Sequence, residues 1–353
     1  MFVHRKLYVL IPAHNEEAQI KETLESLMSQ TRLPDEITVI LDNCTDNTAK
    51  VAGEFPEVKL FETANNKKKK AGGLNQWLDQ NLFELPDSDL ILVMDADSTL
   101  DQNFLENAIE KIEQGYSACG GVFRGKPGGG IVGMFQRNEY ARYERDIERK
   151  DGKTLVLTGT ATVFLVGPLK EVVEKRREGK INCIDGEAHV YDTGALTEDN
   201  ELTFALLHLG HMIIAPVSCS LSTEVMPTWR QLWHQRRRWK RGAIENNLQY
   251  GFTKVTAKYW GLQVWGFLGI IATLIYLFTL VYALATNSFH LKLLWLVVTL
   301  IYVVERCVTV SRRGPLQALL AGTLVVEMFY DISLQVVHLL AFSDVLRRAK
   351  KNW

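Results

Sequence analysis

Short apolar runs that each end in a polar cluster fill about the first 100 residues, and this punctuation constrains the fold more than any other feature. Residues 7–11, 37–41, 58–61 and 90–94 are short, rich in Val, Ile and Leu, and bounded by polar turns, which is how buried strands read. Between the first two, residues 16–28 place Ile20, Leu24, Leu27 and Met28 at helical spacing, with Glu16 and Glu17 at the start, where a helix dipole favours acids. Strand and helix in alternation predict an α/β fold whose mostly parallel sheet is covered on both faces. Ligands on such sheets sit beyond the carboxyl ends of the strands. Residues 12–17, 42–46 and 95–97 follow strands directly, so three polar clusters converge on one edge.

The chain changes character near Trp260. From there acids are scarce and apolar residues dominate, as in a lipid-facing region. Segments 260–286 and 289–310, joined by Thr286-Asn287-Ser288, are each long enough to cross a hydrocarbon core of about 30 Å at ~1.5 Å per residue. The basic loop Ser311-Arg312-Arg313 belongs on the cytosolic side by the positive-inside rule. Crossing out and back puts the N-terminal part on that side too. A third apolar stretch, 316–342, carries Glu327, Asp331 and His338 and is followed by Arg347-Arg348-Ala349-Lys350-Lys351. A third full crossing would carry this basic tail outside, so the expectation is two spans plus an interfacial, re-entrant or oligomer-packed segment. Just before the first span, residues 228–250 interleave Trp229, Leu232, Trp233 and Trp239 with Arg230, Arg236, Arg237 and Lys240, the make-up of an amphipathic interfacial helix. The expected organisation is a globular domain over 1–225, an interfacial region over 226–258 and a membrane region over 259–353.

Bulk composition removes several classes. Lys and Arg number 40 against 41 Asp and Glu, so whole-chain charge points to no polyanionic partner, and nucleic acid is not expected. Cysteines 44, 119, 183, 219 and 307 are scattered without CxxC or Cys/His spacing, which speaks against a disulfide framework or a zinc site and for a reducing compartment. Residues 1–6 contain no signal-peptide core. The N-terminal part is therefore expected in the cytosol.

Five clusters carry chemistry. Asp95 and Asp97 flank Ala96 just after an apolar strand, where two carboxylates suit Mg²⁺ or Mn²⁺ shared with substrate phosphates. A plain turn with solvated acids would look the same. Asp42 follows another strand, beside the turn that holds Ala13, Asn15 and Glu16, a place from which to grip a base or ribose. Thr45 and Asp46 read rather as an Asx-turn or helix cap. Lys67 to Lys70 precede Gly72 and Gly73 at a helix start, where backbone N–H groups and one lysine, best Lys70, can hold a diphosphate. The other three lysines read as a solvated face. Thr197-Glu198-Asp199 precedes a helical pattern, so its acids serve either as helix caps or as a general base toward an acceptor hydroxyl. In residues 235–239, the arginines Arg236, Arg237 and Arg238 could neutralise a leaving diphosphate while Trp239 stacks on a sugar, and membrane-headgroup contact accounts for part of the same cluster.

Taken in order, these residues resemble the membrane-bound branch of glycosyltransferase family 2, which includes hyaluronan, chitin, cellulose and poly-N-acetylglucosamine synthases. Residues 12–17, Asp42, 70–75, Asp95-Ala96-Asp97, Thr197-Glu198-Asp199 and the Q-x-x-R-W from Gln235 to Trp239 match its motifs across about residues 5–250. The resemblance implies a GT-A, Rossmann-like fold, a nucleotide-diphosphate sugar donor, usually a UDP-sugar, and a Mg²⁺ or Mn²⁺ ion. It places Ala13 and Asn15 in the nucleotide-sugar site, Glu16 and Asp42 near the nucleoside, Lys70 near the diphosphate and Asp95 near the nucleotide and metal. It assigns Asp97 to the metal, Asp199 beside Glu198 to the catalytic base, and Gln235, Arg238 and Trp239 to a clamp over diphosphate and acceptor. Thr158, Gly159 and Thr160 resemble the acceptor-side loop.

Two departures bear on the product. That loop usually continues into an arginine, where this chain has Phe164-Leu165-Val166. Polymer-exporting members also line a channel with more helices than the two or three expected here. Processive synthesis then calls for a homo-oligomer, and transfer of one or a few sugars to a carbohydrate, lipid or protein acceptor fits equally well. A nucleotidyltransferase would want a glycine-rich basic loop after the first strand, and Pro12-Ala13-His14-Asn15 is not one. A non-catalytic membrane scaffold is the reading of another class, and the retention of Asp97 and Asp199 argues against it.

Overall fold

The computed structural model describes residues 5–290 and 292–351, and the chain divides into two compact units. One comprises the chain up to Lys126 together with Asp146–Glu224. The other comprises Pro127–Arg145 and everything from Val225 on. Residues 127–145, which the sequence grouped within a domain ending at 225, thus belong with the C-terminal part.

In chain order the first unit begins with β1 (Leu7–Ala13), α1 (Ile20–Met28), β2 (Glu36–Leu41), α2 (Thr48–Ala52), β3 (Val58–Glu62), α3 (Lys69–Asn81) and β4 (Leu90–Met94). It continues through β5 (Thr99–Leu100), α4 (Phe104–Glu113), β6 (Ala118–Gly120) and β7 (Val122–Gly125). Helix α5 (Gly130–Arg149) starts in the second unit. The first unit then resumes with β8 (Ala161–Leu165), α6 (Val166–Arg177), α7 (Glu198–His208), β9 (Ile213–Ile214) and β10 (Ser220–Thr223).

Seven strands form the main sheet in the order β3-β2-β1-β4-β8-β6-β9. Strands β1 to β4 run parallel, and β8 is antiparallel to β4 and β6. The order reverses between β1 and β4, which opens a crevice at the strands' carboxyl ends. Ala13, Leu41 and Met94 end β1, β2 and β4, so the three polar clusters lie side by side on one edge as the sequence predicts. The core beneath them is apolar: Val9, Ile11, Val39, Leu92, Val163 and Ile20 are wholly or almost wholly buried.

Two local expectations are corrected. Strand β3 is an edge strand with Lys59, Leu60 and Glu62 exposed rather than a buried one, because it pairs with a strand, β2, on one side only among the described residues. Helix α1 starts at Ile20, so Glu16 and Glu17 stand before it rather than in its first turn. Glu17 accepts instead from the Asn47 backbone and side-chain amides at 2.9 Å each and fixes the start of α2.

The second unit contains α5, α8 (Trp229–Tyr250), α9 (Ala257–Ala285), α10 (Leu293–Val310), α11 (Pro315–Gly322) and α12 (Leu324–Leu346). Among the described residues, α9 and α12 are long and apolar enough to cross a membrane by length and composition. The first coincides with the expected span at 260–286. The other lies in the stretch expected to be interfacial or re-entrant, which breaks at Thr323 into α11 and a continuous 23-residue helix. Its acids are neutralised within the unit: Glu327 takes Arg142 at 2.5 Å and also Arg306, while Asp331 takes Arg306 at 3.2 Å. Ionisable side chains within apolar helices almost always pair in this way.

Candidate active site

Lys70 stands at the start of α3, with its Nζ donating to Asp95 Oδ1 at 2.5 Å and to the Gly159 carbonyl at 2.9 Å. Glu198 Oε1 lies 3.8 Å away. Burial works against this ammonium, yet Asp95 and Glu198 outweigh it and hold the Lys70 pKa above the usual lysine value. Lys67, Lys68 and Lys69 are exposed, as the sequence predicts. Gly72 makes this helix start possible. A Cβ there would sit 2.3 Å from Asn66 Oδ1, the oxygen that accepts the Lys68 amide at 2.9 Å.

Asp199 lies opposite, in the first turn of α7. Its Oδ2 accepts the Gly159 amide at 2.9 Å and its Oδ1 accepts the Asn200 amide at 2.7 Å. The carboxylate therefore holds a helix-end amide, one of the two roles that the sequence left open, and it lines the pocket beside Lys70. Burial, then the neighbouring Glu198, push its pKa up to about 6 against the opposing pull of Lys70. Gly159 is the hinge of the arrangement, using its amide for Asp199 and its carbonyl for Lys70. A Cβ on it would lie 3.2 Å from both Asp199 Oδ2 and Lys70 Nζ, so a larger residue would press directly on the pair. Thr158 and Thr160 hold this loop through their hydroxyls at 2.9 Å, and the Thr160 carbonyl accepts the Asp95 amide at 3.0 Å. Phe164 and Val166, which replace the expected arginine region, are buried in β8 and at the start of α6.

Asp42, buried beyond β2, accepts on Oδ1 from Asn43 at 2.9 Å, Thr63 at 3.0 Å and Asn66 at 2.8 Å. Ala13 contributes only its backbone carbonyl, to the Asp42 amide at 2.9 Å. Asn15 accepts the Thr45 amide on Oδ1 at 2.7 Å. It holds the loop after β2. Asp46 caps α2 through Thr48, as expected.

A third group is crowded with negative charge. Asp97 accepts from Ser98 at 3.0 Å and Thr223 at 3.3 Å. Burial and the nearby Asp95 raise its pKa to about 6. Glu16 rises to about 7 through burial, with Asp97 and Glu224 adding to the effect. Among the described residues no three His, Cys, Asp or Glu side chains gather closely enough to form a ready-made metal cage. The donor set still fits Mg²⁺ or Mn²⁺, which commonly bind through one or two carboxylates plus substrate phosphates, because Lys70 pairs with Asp95 while Asp97 and Glu16 are raised by their acidic neighbours.

Sequence reading missed four contributors. Glu224 joins the acidic group from the end of β10, and Asn66 carries Asp42. Asn75 grips the Tyr191 backbone on both sides, donating at 2.8 Å and accepting at 3.0 Å, so Tyr191 lines the pocket beside Lys70 and Asp199. Asn75 and Asn66 lay next to the lysine run and were within reach of closer reading. Tyr191 and Glu224 had no local signal.

In the second unit, Gln235, Arg238 and Trp239 all lie on α8. Gln235 Oε1 accepts from Arg236 at 2.7 Å. Arg236 is buried, donates to Glu139 at 2.9 Å and lies 4.3 Å from the Trp239 ring centroid. Glu139 also accepts the Tyr330 hydroxyl at 2.5 Å. Arg237 is held by both oxygens of Asp344 at 2.6 Å. Of the three arginines, Arg238 alone has no polar partner among the described residues.

Residues 8–173 match the family described as Glycosyl transferase family 2. The chain is 30% identical over 271 residues to "Probable glycosyltransferase YdaM" of Bacillus subtilis (strain 168), covering 73% of this chain and 59% of that protein. It is 27% identical over 272 residues to the "Poly-beta-1,6-N-acetyl-D-glucosamine synthase" of Staphylococcus aureus (strain COL), covering 75% and 61%. The chain thus spans about six-tenths of the length of these relatives. Its fold is similar to that of the "Mannosyltransferase PcManGT from Pyrobaculum calidifontis in complex with GDP-Man and Mn2+", with a TM-score of 0.60, 16% identity, and coverage of 99% of this chain and 89% of that one.

Proposed function

From the premise that this chain carries a glycosyl transferase family 2 domain over residues 8–173, we propose that it is a membrane-anchored inverting glycosyltransferase. It moves a sugar from a nucleotide-diphosphate donor to an acceptor hydroxyl, with the catalytic unit on the cytosolic face. One observation supports this reading: Lys70, Asp95, Gly159 and Asp199 come from four separate segments, and a lysine ammonium and a carboxylate meet on the two sides of Gly159.

Asp199, with a pKa near 6, is mostly ionised at neutral pH yet basic enough to accept a proton, the range that suits a general base. The acceptor hydroxyl gives its proton to Asp199 as its oxygen forms a bond to the anomeric carbon. The bond from that carbon to the diphosphate breaks, and the electron pair leaves with the diphosphate. Lys70, at present held by Asp95 and Glu198, turns its charge to the departing group, so stabilisation rests on a preplaced cation. Asp97, with Asp95 beside it, would hold Mg²⁺ or Mn²⁺, which supplies further positive charge to the diphosphate. Asp42 and Glu16 receive the nucleoside. Arg238, which has no acid to neutralise it, and Trp239 form the clamp over diphosphate and acceptor.

The names of the relatives set the donor panel, which includes UDP-N-acetylglucosamine and GDP-mannose. The test is nucleoside-diphosphate release by the full chain in detergent with each donor, followed by the mass of the product. Absence of release with every donor and either metal would sink the reading. A ladder of masses would favour processive synthesis by an oligomer, and a single added sugar would favour a lipid or protein acceptor.

A further inference from the structure

The second unit holds a cavity of about 360 Å³ whose walls differ in chemistry. On α8, Trp229 and Trp233 form one stripe and Arg230 and His234 the next, each pair four residues apart and so on one helical face. Val337 and Leu340 of α12 close the apolar side. Trp229 is braced from behind by Phe135 and Tyr330, with ring centroids 5.9 and 6.1 Å away.

The charge in this cavity is unbalanced. Arg237, at its edge, is neutralised by Asp344. Arg230 and His234 are exposed and have no polar partner among the described residues. No carboxylate lines the cavity, and the first turn of α8 contains no acid to offset the positive end of its dipole. A sugar would want carboxylate and amide partners, which this lining lacks. A free phosphate would use the cationic wall and leave two indoles and the apolar wall in water. An amphiphile with an anionic head satisfies both.

We propose that this cavity is a binding site for one anionic phospholipid of the surrounding bilayer. The phosphate sits against Arg230 and His234, the indoles lie at the glycerol level, where Trp concentrates at membrane interfaces, and an acyl chain runs along Val337 and Leu340. The site depends on the proposed membrane location of α12 and not on the transfer chemistry, so its test does not use activity.

The test is native mass spectrometry of the full chain in detergent, titrated with diheptanoyl phosphatidylglycerol or diheptanoyl phosphatidylcholine. The expected result is one phosphatidylglycerol retained in preference to phosphatidylcholine. One basic side chain near a lipid surface contributes a factor of about fivefold, so Arg230→Gln should weaken phosphatidylglycerol by that factor. Arg312→Gln, another exposed cation without a partner among the described residues, should leave binding unchanged. Equal retention of the two lipids overturns the proposal, and this comparison uses the wild-type chain alone. An equal loss in both variants overturns it as well, because it would mark general surface charge. Displacement of phosphatidylglycerol by an equal concentration of inorganic phosphate would assign the site to free phosphate instead.

Discussion

Charged side chains gather away from water in two places in this protein, and they are settled in opposite ways. Around α5 and α8, Glu139 is outweighed by cations. Burial alone would raise its pKa, yet Arg236 and the Tyr330 hydroxyl pull it below the usual carboxylate value. At the sheet edge, Asp97, Asp199 and Glu16 are pushed up to about 6, 6 and 7 by burial and by neighbouring acids, Asp95 for Asp97, Glu198 for Asp199 and Asp97 for Glu16, with Lys70 the cation among them. The first arrangement balances its central acid with a cation and serves to hold helices. The second carries surplus negative charge, which is what a site awaiting a cation and a phosphate-bearing substrate would show.

The largest expected effect breaks the sheet-edge half of this contrast. Asp199→Asn should lower kcat by about 10²–10⁴-fold, the usual worth of a general base, with donor affinity nearly unchanged by calorimetry. Wild-type turnover in that variant would remove Asp199 as the base. In the unaltered protein, kcat should fall as pH drops below about 6, because Asp199 is then protonated.

The compensated network should answer in stability instead. Glu139→Gln leaves the buried Arg236 charge without its acid, at a cost of about 3–5 kcal/mol, read as lowered thermal stability in detergent. The double change Glu139→Leu with Arg236→Met removes both charges and should restore most of it. If the double variant is as unstable as the single one, packing rather than charge balance explains this region.

Gly159→Ala sharpens the comparison at its tightest point. Overpacking there costs about 1–3 kcal/mol, and it should appear mainly as reduced turnover, because the added carbon presses on Asp199 and Lys70.

The smallest effect is one of pH and metal. Acids with raised folded-state pKa values hold protons that the unfolded chain has already released between about pH 4 and 7. The metal-free protein should therefore gain stability as pH falls from 7 to 5, and Mg²⁺ or Mn²⁺ should replace that gain at pH 7. A shift of roughly 2–4 °C corresponds to about 1 kcal/mol. A melting temperature indifferent to metal at pH 7 would mean that the surplus charge does not serve a cation.

Much of this was readable one segment at a time. The strand at Leu90–Met94 and the helix over Trp229–Tyr250 agree with their periodicity to within a residue or two. Lys70 stood out among four lysines because glycines follow it at a helix start. The helix starting at Ile20 was less legible: acids before a periodic run look the same whether they lie in the first turn or in the preceding loop. The segment 127–145 was also opaque, since its partners Arg236, Glu327 and Tyr330 lie about 100 to 190 residues away.

By itself, then, the sequence determined the alternation that builds the sheet, the edge on which its polar clusters fall, and the apolar helices that follow. Those features depend on neighbours a few residues apart. Only the tertiary structure decided that Asn15 holds a loop, that Gly159 joins Asp199 to Lys70, that Glu224 joins the acidic group, and that Arg236 is neutralised while Arg238 is not. Each of these depends on which distant charge or amide comes within about 3–4 Å, and at that range a partner decides whether a buried polar group is satisfied or left poised.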